Sequence, residues 1–301
     1  MRQRHLLRLA LSLFLLLVLA ASDVAAETWS DTDVFIDVDG AAAAIDDGAT
    51  VVDGREQSDF RRAHIPSASR ISWQDLVDGD RDGALVDDDE VLSERLQEAG
   101  ISHDQPVIVY GGWANDGAWG EEGRLFWTLE YLGHQDVQIL EGGLSAWRDA
   151  AQEISRLTSS SPDRGDFEVQ RQTSRRASTD AIAQSLPDSS IQLIDTREPG
   201  EYRGEPKYGE ERGGHIPSAI HLWWRQLFDD DGQLHSPEQI HALLEAQDID
   251  LDEPIAAYCT GGIRSGFVYA VLRALGADQP MNYDASMWEW TAQSELPLST
   301  P

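Results

Sequence analysis

The chain has 301 residues, 41% of them hydrophobic and 8% aromatic with ten Trp, so it can fill one large core or two ordinary ones and is not globally disordered. Its formal charge is −31, from 54 acidic and 23 basic residues, with Lys207 as the single lysine. A field of that sign excludes nucleic acid and anionic membrane surfaces as partners, and any anion site must be locally electropositive.

The first 26 residues read as a secretory signal peptide. Arg2, Arg4 and Arg8 precede an apolar run over 9–21, and Val24, Ala25 and Ala26 supply the small residues of a cleavage site. The alternative is an uncleaved membrane anchor. No Cys lies near the cleavage site, which excludes a lipoprotein. The mature chain is therefore expected to be exported, periplasmic or secreted, with no membrane association beyond export. Its acidity fits solvation in external salt, where self-repulsion is screened.

An internal repeat organises the rest of the chain. Residues 51–66 read VVDGREQSDFRRAHIP and residues 193–217 read LIDTREPGEYRGEPKYGEERGGHIP. Asp53 and Arg55 match Asp195 and Arg197 at an offset of 142, while His64 matches His215 at 151, so the second copy carries a nine-residue insertion. The match resumes at PVIVY (106–110) against PIAAY (254–258), and Trp147 matches Trp290. The first copy is assigned to 27–154 and the second to 177–301. The stretch 155–176 lacks apolar periodicity and reads as a linker.

Within the first copy, buried strands are expected at 51–52, 107–110 and 137–140, with helices over 89–99 and 121–132. Within the second, strands are expected at 191–194, 255–258 and 281–283, with helices over 237–246 and 265–275. Short apolar strands alternating with helices predict an α/β architecture, each copy a parallel sheet flanked by helices. Reactive groups in such folds gather at the carboxyl ends of strands.

Cys259, the single cysteine, stands at such an end. It follows the strand 254–258 and precedes Thr260, Gly261, Gly262, Ile263, Arg264 and Ser265, after which a helix begins near Gly266. Two glycines let the backbone curl and turn its N–H groups inward. The helix presents its positive end and Arg264 adds a full charge. All three favour a thiolate and stabilise an anion beside it.

The strand–Cys–loop–helix unit, the AspXArg and HisIlePro motifs and the ending Tyr283-Asp284-Ala285-Ser286-Met287-Trp288-Glu289-Trp290 together resemble the rhodanese family, in its tandem two-domain form. The resemblance covers nearly the whole mature chain. It implies two tandem rhodanese-like domains, the second catalytic through Cys259. The first has lost its thiol, since Gly111 follows Tyr110 where Cys259 follows Tyr258. It further implies sulfur transfer through a Cys259 persulfide, from a small-molecule donor such as thiosulfate to cyanide or a thiol, with no metal or organic cofactor. A monomer is expected. The loop Cys-Thr-Gly-Gly-Ile-Arg matches neither the Cys-Arg-Lys-Gly of animal thiosulfate enzymes nor the Cys-Gly-Ser/Thr-Gly of mercaptopyruvate enzymes. Arg264 is the expected anchor for a dianion, which favours thiosulfate over 3-mercaptopyruvate.

Thr260, Gly261, Gly262, Ile263, Arg264 and Ser265 are the candidate substrate-binding residues, with Arg203, near the insertion, as a further one at the pocket mouth. Asp195, Arg197 and Glu201 are expected to form a buried ion-pair network, and His64 and His215 to be turn residues. Trp223, Trp224 and Trp288 are candidates to wall the pocket, with core packing the default for their type. An acidic run at 78–83 resembles the start of a calcium loop, although Asp89 rather than Glu stands at the twelfth position. A cysteine phosphatase is the rival enzyme, but it needs five residues between Cys and Arg and this loop has four. A non-enzymatic persulfide carrier is the rival from another class.

Overall fold

The computed structural model describes residues 28–79, 83–113, 117–156 and 162–301. The signal-peptide reading lies outside them, as do residues 80–82 of the acidic run. Among the described residues no helix is long and apolar enough to cross a membrane.

The first copy runs β1 (Phe35–Ile36), α1 (Val38–Asp46), β2 (Thr50–Asp53), α2 (Gln57–Arg62), β3 (Ser69–Arg70), α3 (Asp89–Glu98), β4 (Val107–Tyr110), α4 (Glu121–Leu132), β5 (Val137–Leu140) and α5 (Gly143–Asp149). The second runs α6 (Thr179–Ser185), β6 (Gln192–Asp195), α7 (Pro199–Tyr202), β7 (Ile220–His221), α8 (Pro237–Glu245), β8 (Ile255–Tyr258), α9 (Ile263–Ala274), β9 (Pro280–Tyr283) and α10 (Ser286–Ala292). All pairings within the two sheets are parallel, in the orders β1-β5-β4-β2-β3 and β7-β6-β8-β9.

The central strands are buried at every position because helices cover both faces. Their alternation sorts side chains into separate cores. Val107 and Val109 of β4, with Ile255 and Ala257 of β8, enter one cluster that spans both copies. Ile108 and Tyr110 face an outer cluster of the first copy, and Ala256 and Tyr258 one of the second. Burying each large apolar side chain of the shared cluster, such as Phe267 or Trp127, stabilises the chain by roughly 1.5–3 kcal/mol.

Helices α4 and α9 form the seam between the copies. A Cβ on Gly123 would fall on the Phe267 backbone, and one on Gly266 would lie 2.7 Å from the Arg124 Cα. Glycine at both positions brings the two helix backbones into near contact. The segment 162–176 does not hang free between the copies. Phe167 is fully buried, Gly165 N–H donates to the Gln97 carbonyl at 2.9 Å and Gln170 N–H donates to the Leu132 carbonyl at 2.8 Å.

Helix α9 starts at Ile263, three residues before its expected start near Gly266 and inside the loop. Gly262 has φ +82°, a left-handed conformation that turns the chain straight into the helix. The second half of the loop, Ile263 to Ser265, is thereby the first turn of α9.

Candidate active site

Cys259 directly follows β8, and its backbone is fixed from two sides. Its N–H donates to Ser286 Oγ at 3.0 Å, and its carbonyl accepts from Met287 N–H at 3.3 Å. The Thr260 carbonyl accepts from Trp288 N–H at 3.0 Å. With these carbonyls drawn towards α10, following N–H groups face the sulfur, and Gly262 N–H donates to Cys259 Sγ at 3.1 Å. The side chain is only 1% exposed.

Burial alone pushes the Cys259 thiol up. The Arg264 charge, the N–H groups of Ser265 and Gly261 and the Ser265 side chain more than cancel this, so the thiol lies below its ordinary range. Arg264 is not a free cation, however. Its Nη1 and Nη2 donate to the two Glu201 carboxylate oxygens at 2.7 and 2.9 Å, and Nη2 also donates to Thr260 Oγ1 at 2.7 Å. Burial works to raise Glu201, but the Arg264 and Thr260 bonds hold it below the usual carboxylate range. The guanidinium is flanked by the rings of Trp119 and Tyr208, 5.6 and 5.5 Å away.

A cavity of about 330 Å³ opens over the sulfur. The second copy lines it with Tyr208, Cys259, Thr260, Gly261, Ile263, Arg264 and Trp288, and the first with Glu56, Trp73, Gln74, Gly117, Trp119 and Glu121. Trp288 lies where a Gly261 side chain would project, donates Nε1–H to the Tyr208 carbonyl at 3.0 Å, and has its ring 6.3 Å from that of Trp73. Arg124 of α4 buttresses the loop from behind, donating to the Gly83 carbonyl at 2.6 Å and the Gly261 carbonyl at 3.4 Å. The site is thus completed by a domain with no thiol of its own.

That domain's equivalent loop is plugged. A Cβ on Gly111, at the place of Cys259, would collide with the Glu122 carboxylate. Counted from the left-handed glycines that open α4 and α9, Gly120 and Gly262, Glu122 also stands where Arg264 stands in the second copy. Burial first, then the Glu121 charge, pushes the Glu122 carboxyl up to about 8. The first copy thus has glycine and a raised carboxyl where the second has thiol and arginine.

Five of the residues expected at the site, Cys259, Thr260, Gly261, Ile263 and Arg264, line one cavity. Gly262 acts from beneath through its N–H, and Ser265 is buried behind the sulfur with its Oγ donating to Asn282 Oδ1 at 2.6 Å. Arg203 is exposed at the end of α7 and is not among the residues that line the cavity. The insertion after it instead brings in Tyr208 as lining. Asp195 and Arg197 form a buried bidentate pair, with Arg197 also donating to the Gly214 carbonyl at 2.8 Å. Asp53 and Arg55 repeat this arrangement against the Ala63 carbonyl. The Nδ1 atoms of His64 and His215 bond the Phe60 and Tyr202 carbonyls in the two turns. Trp224 is core, whereas Trp288 is a cavity wall.

Glu201 stands in a buried ion pair as expected, but its partner is Arg264, while the sequence carries no sign that Glu56, Trp73, Trp119, Glu121 and Arg124 join the site. The first-copy counterpart of Glu201, Asp59, is instead a surface residue paired with Arg62. The others reach the site only through the packing of α4 on α9, which no local pattern encodes.

Fold and site define a two-domain α/β protein with one buried, activated thiol at the carboxyl end of a central strand, roofed by a duplicated domain without a thiol. The rhodanese-like domain family matches residues 37–150 and 178–293, and the chain belongs to that family. Sulfur carrier protein TtuD of Thermus thermophilus is 35% identical over 80% of this chain and 86% of its own length. The thiosulfate sulfurtransferase of Corynebacterium glutamicum is 32% identical over 84% of this chain and 85% of its own. Among solved structures, an anaerobic ergothioneine biosynthesis enzyme from Chlorobium limicola superposes with a TM-score of 0.78 at 21% identity, covering 89% of this chain and 70% of that longer one. That likeness shows the shared fold. Family and relatives together identify a sulfurtransferase.

Proposed function

We propose that this protein moves a sulfane sulfur from thiosulfate to a thiophilic acceptor, cyanide or a thiol, through a persulfide on Cys259. The observation that carries this reading is the sulfur's setting, buried in a ring of N–H donors at the start of α9 with its thiol held low. The Cys259 thiolate attacks the outer sulfur of thiosulfate, the S–S bond breaks, and sulfite leaves with the electron pair. The loop N–H groups then bear the charge of the persulfide as they bore that of the thiolate. The acceptor attacks the terminal sulfur and Cys259 departs as thiolate, which gives two half-reactions and ping-pong kinetics. Arg264 is spent on Glu201, so its part is to lower the thiol and shape the loop. The mature protein acts outside the cytoplasm after export, and Arg203 serves at most at the outer approach.

Incubation with thiosulfate should add one sulfur, about 32 Da, to the wild type and none to Cys259→Ser. Cyanide should then remove it as thiocyanate with turnover. Loading by 3-mercaptopyruvate but not by thiosulfate would replace the donor. Stoichiometric uptake without turnover would favour a carrier, the role that the name of the Thermus thermophilus relative describes.

A further inference from the structure

The cavity over Cys259 carries an uneven charge. Glu56 and Glu121 both line it, the first exposed and the second half-buried. Each is held in place, Glu56 by Gln74 Nε2–H at 2.7 Å and Glu121 by Trp119 N–H at 3.0 Å. Among the described residues the one lining cation is Arg264, which is buried and committed to Glu201 by two bonds. Arg55 acts on Glu121 from outside the cavity, but its guanidinium is bidentate to Asp53. Burial first, and the Glu56 charge among the further causes, raises the Glu121 carboxyl. Beside these acids stand the rings of Trp73, Trp119, Tyr208 and Trp288, whose faces attract cations.

We propose that this mouth selects a positively charged sulfur acceptor, a thiol bearing an ammonium group that rests against Glu56, Glu121 and the indole faces of Trp73 and Trp119 while its sulfur reaches Cys259. This rests on the reading that Cys259 carries a persulfide. The acceptor thiolate attacks the terminal sulfur of the Cys259 persulfide, and the enzyme S–S bond breaks. Cys259 leaves as thiolate, and the acceptor departs as its own persulfide, with no net oxidation. The same carboxylates oppose a dianionic donor, so they also raise the thiosulfate concentration needed for loading.

The test uses the full mature chain, loaded with sulfur and confirmed by intact mass. Three acceptors of matched length are compared at low ionic strength: cysteamine, 2-mercaptoethanol and 3-mercaptopropionate. Second-order discharge rates are corrected to thiolate concentration. Cysteamine is expected to be fastest and 3-mercaptopropionate slowest, with about a tenfold spread between the extremes. In the double variant Glu56→Gln with Glu121→Gln the spread should collapse, and the thiosulfate KM should fall. Discharge by 3-mercaptopropionate as fast as by cysteamine overturns the proposal, as does an order that survives in the double variant. In both cases the loaded mass shows that the persulfide reading itself stands. A chain that takes up no sulfur overturns both.

Discussion

Replacing Gly262 with alanine separates what the loop does for the sulfur from what the sulfur does alone. Gly262 has φ +82°, and a side chain in that region costs roughly 1–2 kcal/mol. Its Cβ would also fall on Arg124 Nη1 and on the Asp284 backbone, of which only the arginine can swing aside. Overpacking of that kind adds roughly 1–3 kcal/mol, so the variant should lose about 2–5 kcal/mol of stability. Relief requires the Gly262 N–H to move from its 3.1 Å contact with Cys259 Sγ. A hydrogen bond to a charged group contributes about 1.5–3 kcal/mol, which corresponds to a rise of about one to two units in the thiol pKa. The assay is alkylation by iodoacetamide across pH, scored by intact mass, and it is unambiguous because Cys259 is the only thiol in the chain. The wild-type midpoint should lie below that of an ordinary thiol, and the variant's one to two units above the wild type's. A variant that unfolds cooperatively yet alkylates with the wild-type pH profile would refute the assignment of this N–H to the sulfur.

The same geometry sets three further outcomes. Glu122 is raised from 4.5 to about 8, so folding favours its protonated form; that stability is complete below pH 4.5 and is lost as pH rises towards 8, a loss of about 3 kcal/mol by pH 7. Glu122→Gln should therefore raise Tm much more at pH 8 than at pH 5, and an equal rise at both would count against a buried neutral acid. Gly123→Ala should lower stability by about 1–3 kcal/mol in urea unfolding, because its Cβ meets the Phe267 backbone rather than a movable side chain. Arg264→Met strands the fully buried Glu201 charge and should cost about 3–5 kcal/mol, whereas adding Glu201→Leu to it should recover much of that loss, as a double-mutant cycle would show.

Much of the fold is legible without coordinates. Strands 107–110, 137–140 and 255–258 and helix 121–132 stand at their expected bounds, because short apolar runs between polar turns leave little freedom of register. The cavity-lining loop residues are legible for the same reason: a strand, two glycines and a helix make a local geometry. The short edge strands β1, β3 and β7 are not, since two residues carry no period. Arg264 looks like a free anchor in the sequence because its neutraliser lies 63 residues upstream, beyond any helical or strand spacing. Trp288 falls to the core by the default for its type, and only the bare Gly261 beneath it makes it a cavity wall. Glu56, Trp73 and Glu121 reach the sulfur across the α4–α9 seam, a contact between copies that repetition announces but does not orient.

A solitary thiol also governs how long a sulfur can be kept. Where a neighbouring cysteine exists, a persulfide is short-lived, because the neighbour can expel the outer sulfur and close a disulfide. This chain holds no second cysteine, and Cys259 is sealed at 1% exposure beneath a cavity of about 330 Å³. On the persulfide reading, cargo once taken on has no internal route of escape and waits for a molecule small enough to enter. The protein would then keep time as well as place: charged when donor is plentiful, discharged when an acceptor arrives, with a shelf life set by what can reach one buried sulfur.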